Sequence, residues 1–346
     1  MPDYAHQQTD VFLKDLEKRL QKEYQQAVNE TEEKLNDYLR RFQVKDKTWQ
    51  KWVDEEKKTK EEYAKWRQSQ MMAGQRWKDM KETLAQDMNN TNKIARKIID
   101  DGIKDVYALN MNYATYQLER GLGVDTSFTL YSHETVERLM SQDQKMLPPP
   151  GKKVSQRIRE GKDKLWNRQT IQSVMTQGVL QGESIPKLAR RLAVAVGDRN
   201  YKAAIRNART MTTGAENAAR IDAHDRAREL GCLIDDYWRA VHDNRTRTSH
   251  RYLDGEKRGE DGLFSNDLRF PADPFGEPAE VYNCRCTIIG VPTGFEENYG
   301  LIENPDIMGM SYEEWMEAKP EYRDIQHQEK VGKAIKGKYI QEYRNR

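Results

Sequence analysis

The sequence predicts a mainly α protein: an elongated helical platform with a small α+β module near its C-terminus and short strands near 233–241 and 281–291. Three observations lead there. Apolar residues recur at helical spacing through most of the chain before Gly231. The composition is 33% charged and only 36% hydrophobic, with mean hydropathy −1.01, which suits long solvated helices. After Gly231 the pattern changes to a β-branched and aromatic run, Leu233 to Val241, followed by turn-rich chain.

Taken in order, Phe12, Leu13, Leu16 and Leu20, then Leu35, Tyr38, Leu39 and Phe42, mark a helical region from Asp10 to about Met88. Trp49, Trp52, Tyr63, Trp66 and Trp77 lie there among dense Lys and Glu. Such rings either stack on nucleic acid or pack between helices, and their helical spacing favours packing. Residues 91–120 continue as helix, Gly121 to Gly123 break it, and Ser132 starts a short one. Pro148-Pro149-Pro150-Gly151 forms the expected domain boundary, because three prolines hold the chain extended and the glycine lets it turn. Ile158, Leu165, Ile171, Val174 and Leu180 line the next helix, which Gly182 stops. Ser184 then caps a helix with Pro186 in its first turn. Gly197-Asp198 is expected to restart it, and Gly231 to end it. The domains are therefore expected at 1–147, 152–231 and 232–295, with a linker at 148–151 and an acidic, then basic, tail over 296–346.

The 346 residues suffice for two modest domains. No run approaches the roughly 18 apolar residues of a membrane span, and the first twenty residues lack the apolar core of a secretory signal. Three cysteines cannot build a disulfide framework, so synthesis in a reducing cytoplasm is expected. Net charge is +2 but segregated: residues 152–209 hold 14 Lys/Arg against 4 Asp/Glu, whereas 296–317 hold seven acids and no base. Such segregation suits either charged partners or solvated helix faces. Lys152, Lys153, Arg157, Arg159, Arg190 and Arg191 are the candidate contacts to nucleic acid or an acidic protein face.

The densest chemistry lies between Trp238 and Cys286. Cys284 and Cys286 form a C-x-C, His250 lies upstream, and Asp243 or His242 could complete four zinc ligands. A metal cross-link would replace core area that so small a module lacks. Buried cysteine also packs as a small hydrophobe, so a zinc site and a metal-free packed cluster both stand open. Cys232, alone, is expected to be structural. Asp243, Arg245, Arg247, His250 and Arg251 could in principle work on a phosphodiester. The alternative is that Asp243 caps a short helix ended by Gly255 while Arg245 pairs with Asp254. No phosphate-cradling loop is present, since GVPTGFEENYG lacks the lysine.

With these residues assembled, the chain resembles the phage Mu F-like head morphogenesis, or minor capsid, family of tailed bacteriophages. The resemblance rests on W-x-x-x-x-D-x-R-T-R-x-x-H-x-x-L-D-G, formed by Trp238, Asp243, Arg245, Thr246, Arg247, His250, Leu253, Asp254 and Gly255. A Phe- and Pro-rich loop and the N-C-R-C of Asn283, Cys284, Arg285 and Cys286 follow. Upstream it extends to Gly182 and Ser184, the A-R-T of Ala208 to Thr210 and the A-x-N-A-A of Ala215 to Ala219, so that 155–292 is covered. Met211 departs from a glutamate common in the family, and Val281 and Tyr282 from a histidine. The resemblance also implies that relatives can carry cysteine at the His250 position, an exchange a zinc site tolerates. It implies a low-copy, non-enzymatic component of the virion, inside the capsid near the portal, made in the host bacterial cytoplasm. Expected partners are the portal protein, scaffold or major capsid protein, and phage DNA during ejection. The alternatives are a nuclease-like module in 232–292 and a DNA-binding ejection protein.

Overall fold

The computed structural model describes residues 3–142, 156–295 and 301–320, with side chains except at 138–142, 156 and 157. In chain order the elements are α1 (Tyr4–Arg40), α2 (Gln43–Asp54), α3 (Lys60–Met71), α4 (Gly74–Leu122), β1 (Val124–Asp125), α5 (His133–Gln142), α6 (Gln156–Leu180) and α7 (Ile185–Glu229). There follow β2 (Cys232–Arg239), α8 (Thr248–Tyr252), α9 (Pro278–Val281), β3 (Thr287–Phe295), β4 (Ile302–Glu303), a 3-10 turn (Pro305–Gly309) and α10 (Tyr312–Ala318). The chain is mainly α with a small antiparallel module toward the C-terminus, as the sequence predicts. No described helix is long and apolar enough to cross a membrane. The Pro-rich linker at 148–151, Lys152, Lys153 and the tail segments 296–300 and 321–346 lie outside the described residues, as does the side chain of Arg157.

Contacts divide the chain into two units, and the division is not the sequential one expected. One unit comprises Asp15–Ile98 and Val154–Arg206; the other comprises Met1–Lys14, Ile99–Lys153 and Asn207–Arg346.

Among the described residues of the first unit, every regular element is a helix. Its core takes Leu16, Leu20, Tyr24, Leu35 and Leu39 from α1, Leu84 and Met88 from α4, Ile171, Met175 and Val179 from α6, and Leu188, Leu192 and Val196 from α7. Four buried asparagines tie these helices together: Asn92 donates to Asn200 (2.8 Å), Asn200 to Asn167 (3.0 Å) and Asn167 to Asn89 (3.4 Å), while Tyr24 Oη donates to Asn92 (2.7 Å). The helices α2 and α3 are joined by rings rather than leaving them free. Trp49 stacks on Trp66 with centroids 5.4 Å apart, and Tyr63 stacks on Trp66. Thr59 and Glu62 close a capping box at the start of α3. Beneath them Arg67, fully buried, pairs with Asp46 at 2.9 Å and donates to the Glu183 carbonyl at 2.6 Å. One expectation fails here: α7 runs unbroken through Gly197. A Cβ at that position would collide with Val28 of α1, so the glycine serves close helix packing rather than a break.

In the second unit the two-stranded sheet of β2 and β3 packs on α7, with Trp238 opposite Ile288 and a bulge at Leu233/Ile234. Its core joins Tyr107, Met111 and Tyr116 of α4, Phe128, Val136, Ala218 and Ala219, Trp238, Leu253, Phe264, Phe270, Ile288 and Trp315. Two stretches enter that the sequence assigned elsewhere. The start of α1 is held to α7 through Asp3 to Arg220 (2.6 and 2.8 Å) and His6 to Glu216 (2.7 Å). Residues 301–320, read as tail, pair β4 with β1 and bury Ile307, Tyr312 and Trp315. Glu119 receives the Trp315 Nε1–H (2.6 Å) and the Lys319 ammonium (3.0 Å) in the interior. The closing strand also starts later than expected. Pro278 at the first helical position turns 278–281 into the short helix α9, and Val281 ends it instead of opening a strand.

Candidate functional site

The N-C-R-C segment owes its shape to α7. In the antiparallel pair Trp238 turns its own backbone groups toward 255–256, accepting from Gly255 N–H (2.8 Å) and donating to Glu256 (2.9 Å). The far edge of the closing strand needs other partners, and side chains one or two turns apart on α7 supply them. Thr210 Oγ1 accepts from Asn283 N–H (3.0 Å), and Thr213 Oγ1 donates to Cys284 C=O (2.8 Å). Asn217 donates to Cys286 C=O (3.1 Å) and accepts from Ile288 N–H (2.8 Å), and Arg220 reaches Ile288 C=O (3.3 Å). A helix face thus takes the place of a third strand. Asn283 itself adopts φ +55, the left-handed region that asparagine tolerates better than other side chains with a Cβ.

The motif on the other side of the module closes the same ring. Asp243 does not cap α8, whose N-cap is Arg247 without a side-chain bond. Asp243 instead accepts from Arg245 N–H (2.9 Å) and Thr246 Oγ1 (3.1 Å) in a local turn, and both its oxygens take the Arg285 guanidinium at 2.6 Å. The Arg285 fork holds the Asp243 carboxyl well below the usual range, helped by the turn's donors. The Arg245 side chain lies 3.5 Å from Asp243 rather than on Asp254. Arg247 donates to the Tyr282 carbonyl, and Thr246 Oγ1 to Val241 C=O. Asp254 accepts from Ala240 N–H (3.0 Å) and lies 2.9 Å from His242 Nε2, and Gly255 turns the chain at φ +81.

Within this ring, among the described residues, His250, Cys284 and Cys286 form a buried group whose ligand-type atoms lie within 4.8 Å of one another. His250 Nδ1 stands 3.6 Å from Cys284 Sγ and 3.4 Å from Cys286 Sγ. Trp238 meets the imidazole edge-on, with centroids 5.2 Å apart, and fixes the ring's plane. The far nitrogen, Nε2, is 2.9 Å from Glu280 Oε2 but off the line of a hydrogen bond. The Cys284 hydrogen bond and His250 draw Cys286 toward thiolate, while burial and the neighbouring sulfur push Cys284 up. Asp243 is not in this group, being engaged with Arg285, and exposed His242 is occupied with Asp254. Cys232 is buried in a separate cluster with Leu118, Ala227 and Ile234.

The candidate basic contacts are distributed differently. Arg190 pairs with Glu32 (2.7 Å), and Arg191 with Glu183 (3.0 Å) and Gln181 (2.6 Å). Arg199 lies over the Trp166 ring at 3.6 Å. Arg159 acts electrostatically on Asp163. Residues missing from the sequence-based site are Thr213, Glu216, Arg220 and Glu280. The first three share one face of α7 at spacings of three and four with Thr210 and Asn217, a signal present in the sequence but attached to no partner.

Residues 169–289 match the family model described as Phage Mu protein F like protein. The match begins within α6, spans α7, β2 and the N-C-R-C cluster, and ends near the start of β3. No curated protein and no solved structure matches the chain.

Proposed function

We propose, from the match of residues 169–289 to the Phage Mu protein F like family, that this chain is a low-copy, non-enzymatic structural protein of a tailed-phage head that binds the portal during assembly. The observation that carries the reading is the match itself, laid over a module whose motif residues are spent on one another. Asp243 closes on Arg285, Arg247 on the Tyr282 carbonyl, and His250 faces two sulfurs in the interior. A general acid or base must reach a substrate proton, and a 1%-exposed His250 is poorly placed for that. The arrangement supports a rigid docking module over a nuclease.

The test is to purify procapsids and heads from the phage that encodes the chain. The protein should co-purify with portal at a few copies per head and should bind isolated portal directly. Fully infectious heads that lack it would sink the proposal. Transport of the chain with DNA at ejection is a finer reading with its own assay: contacts made through phosphates weaken steeply with salt, whereas apolar packing against a protein does not. Incubation of wild type and His250→Ala with DNA and RNA tests the enzymatic alternative, and no cleavage by either is expected.

A further inference from the structure

We propose that His250, Cys284 and Cys286 bind one zinc ion as a staple between α8 and the N-C-R-C segment. The inference does not rest on the head-protein reading; it rests on four features of the cluster.

The first is spacing. In a zinc tetrahedron with Zn–S about 2.3 Å and Zn–N about 2.0–2.1 Å, a nitrogen and a sulfur ligand lie about 3.5–3.6 Å apart. His250 Nδ1 stands 3.6 and 3.4 Å from the two sulfurs, so its lone pair and both sulfurs already span two edges of such a tetrahedron. The second is the donor set: two thiolates and an imidazole select zinc over calcium or magnesium, which take oxygen ligands.

The third is the surrounding shell. If Nδ1 is a ligand, the imidazole proton sits on Nε2, and the group nearest to Nε2 is the Glu280 carboxylate, 2.9 Å away and itself held by Ser249 Oγ. A carboxylate behind a metal-bound histidine is the usual means of fixing its tautomer and orientation. That buried nitrogen has no aligned hydrogen-bond partner among the described residues. The fourth is preorganisation. Thr213 and Asn217 hold the carbonyls of Cys284 and Cys286, and Trp238 holds the ring, so little freedom is left to lose on binding. A merely packed cysteine pair requires none of this. Binding would release the thiol protons to solvent, leaving two thiolates against the 2+ charge of the ion.

The test uses the full-length chain, expressed with zinc and purified under reducing conditions. Elemental analysis should find about one zinc per chain, and cobalt(II) added to the zinc-free protein should give thiolate-to-cobalt charge-transfer absorption. Cys284→Ser and Cys286→Ser should each lose the ion, while Cys232→Ser keeps it. Glu280→Gln, at a partly exposed position outside the ligand set, should surrender zinc to a chelator about 10- to 100-fold more readily. Should the serine variants fail to fold, wild-type content, the cobalt spectrum and Glu280→Gln decide the matter. Zinc far below one per chain with no cobalt–thiolate band would overturn the assignment, and so would stoichiometric zinc retained by both serine variants.

Discussion

Replacement of Asn217 by alanine should be among the most damaging single changes in the second unit. Asn217 is fully buried and makes three side-chain hydrogen bonds: to Thr213 C=O (2.9 Å), to Cys286 C=O (3.1 Å) and from Ile288 N–H (2.8 Å). Thr213 C=O already has a backbone partner in the helix, so its loss matters little. The other two groups lie on the strand edge that faces α7 and would be left without partners. An orphaned buried polar group costs about 1–3 kcal/mol, so the two together should lower stability by about 2–6 kcal/mol, with a water admitted to the vacated space giving the low end. That is a large part of the roughly 5–15 kcal/mol that holds a typical domain together. Urea unfolding followed by tryptophan fluorescence reads the change, because Trp238 is fully buried in the strand opposite Ile288. Asn217→Asp keeps the acceptor for Ile288 but turns a carboxylate oxygen toward the Cys286 carbonyl, and should be worse than alanine. A loss below about 1 kcal/mol for alanine would refute the claim that α7 side chains complete the strand edge.

Lys319→Ala should leave Glu119 buried with Trp315 but without its cation, at a cost of about 3–5 kcal/mol; faster proteolytic cleavage within 301–320 and a lower melting temperature would show it. Gly197→Ala forces a methyl group into Val28 and should cost about 1–3 kcal/mol by overpacking despite alanine's better helix propensity; a stabilised variant would mean the contact is not tight. Asp236 is drawn from 3.8 down to about 2: burial opposes its charge, but hydrogen bonds and charge from His224 and Arg228 outweigh that. Because its folded value is the lower, it contributes about 2 kcal/mol above pH 4 that is lost as pH falls toward 2, and Asp236→Asn should flatten the acid limb of a melting-temperature profile.

What the sequence made legible followed from local chemistry. The helices, the stops at Gly182 and Gly231 and the strand around Trp238 announced themselves through spacing and turn residues. The cluster of His250, Cys284 and Cys286 stood out because these residue types are rare in the chain. Long-range polar pairing was not legible. Thr213 and Asn217 carry ordinary helix-compatible side chains, and only the fold brings them to a strand some 70 residues later. Gly197 looked like a break because a sequence does not display the neighbour that forbids a Cβ. Asp243 looked like a cap because its competitor, Arg285, lies 42 residues away. The acidic composition of 296–317 masked Ile307, Tyr312 and Trp315, which at a 3-10 turn and a single short helix gave too few apolar positions to show a period.

The pairing of Asp3 and His6 with Arg220 and Glu216 bears on how the chain is made. Synthesis proceeds from the N-terminus at about 5–20 residues per second, so the first residues wait on the order of tens of seconds for their partners to emerge. The second unit is assembled from three separated stretches of chain, and the first is nested inside it in sequence. The nested unit can therefore close earlier in synthesis, while the one bearing the N-C-R-C segment closes only once residues 301–320 have emerged. Contacts this distant slow folding, and during the delay the start of α1 and the polar face of α7 that it pairs with stay open to a chaperone or to another nascent copy.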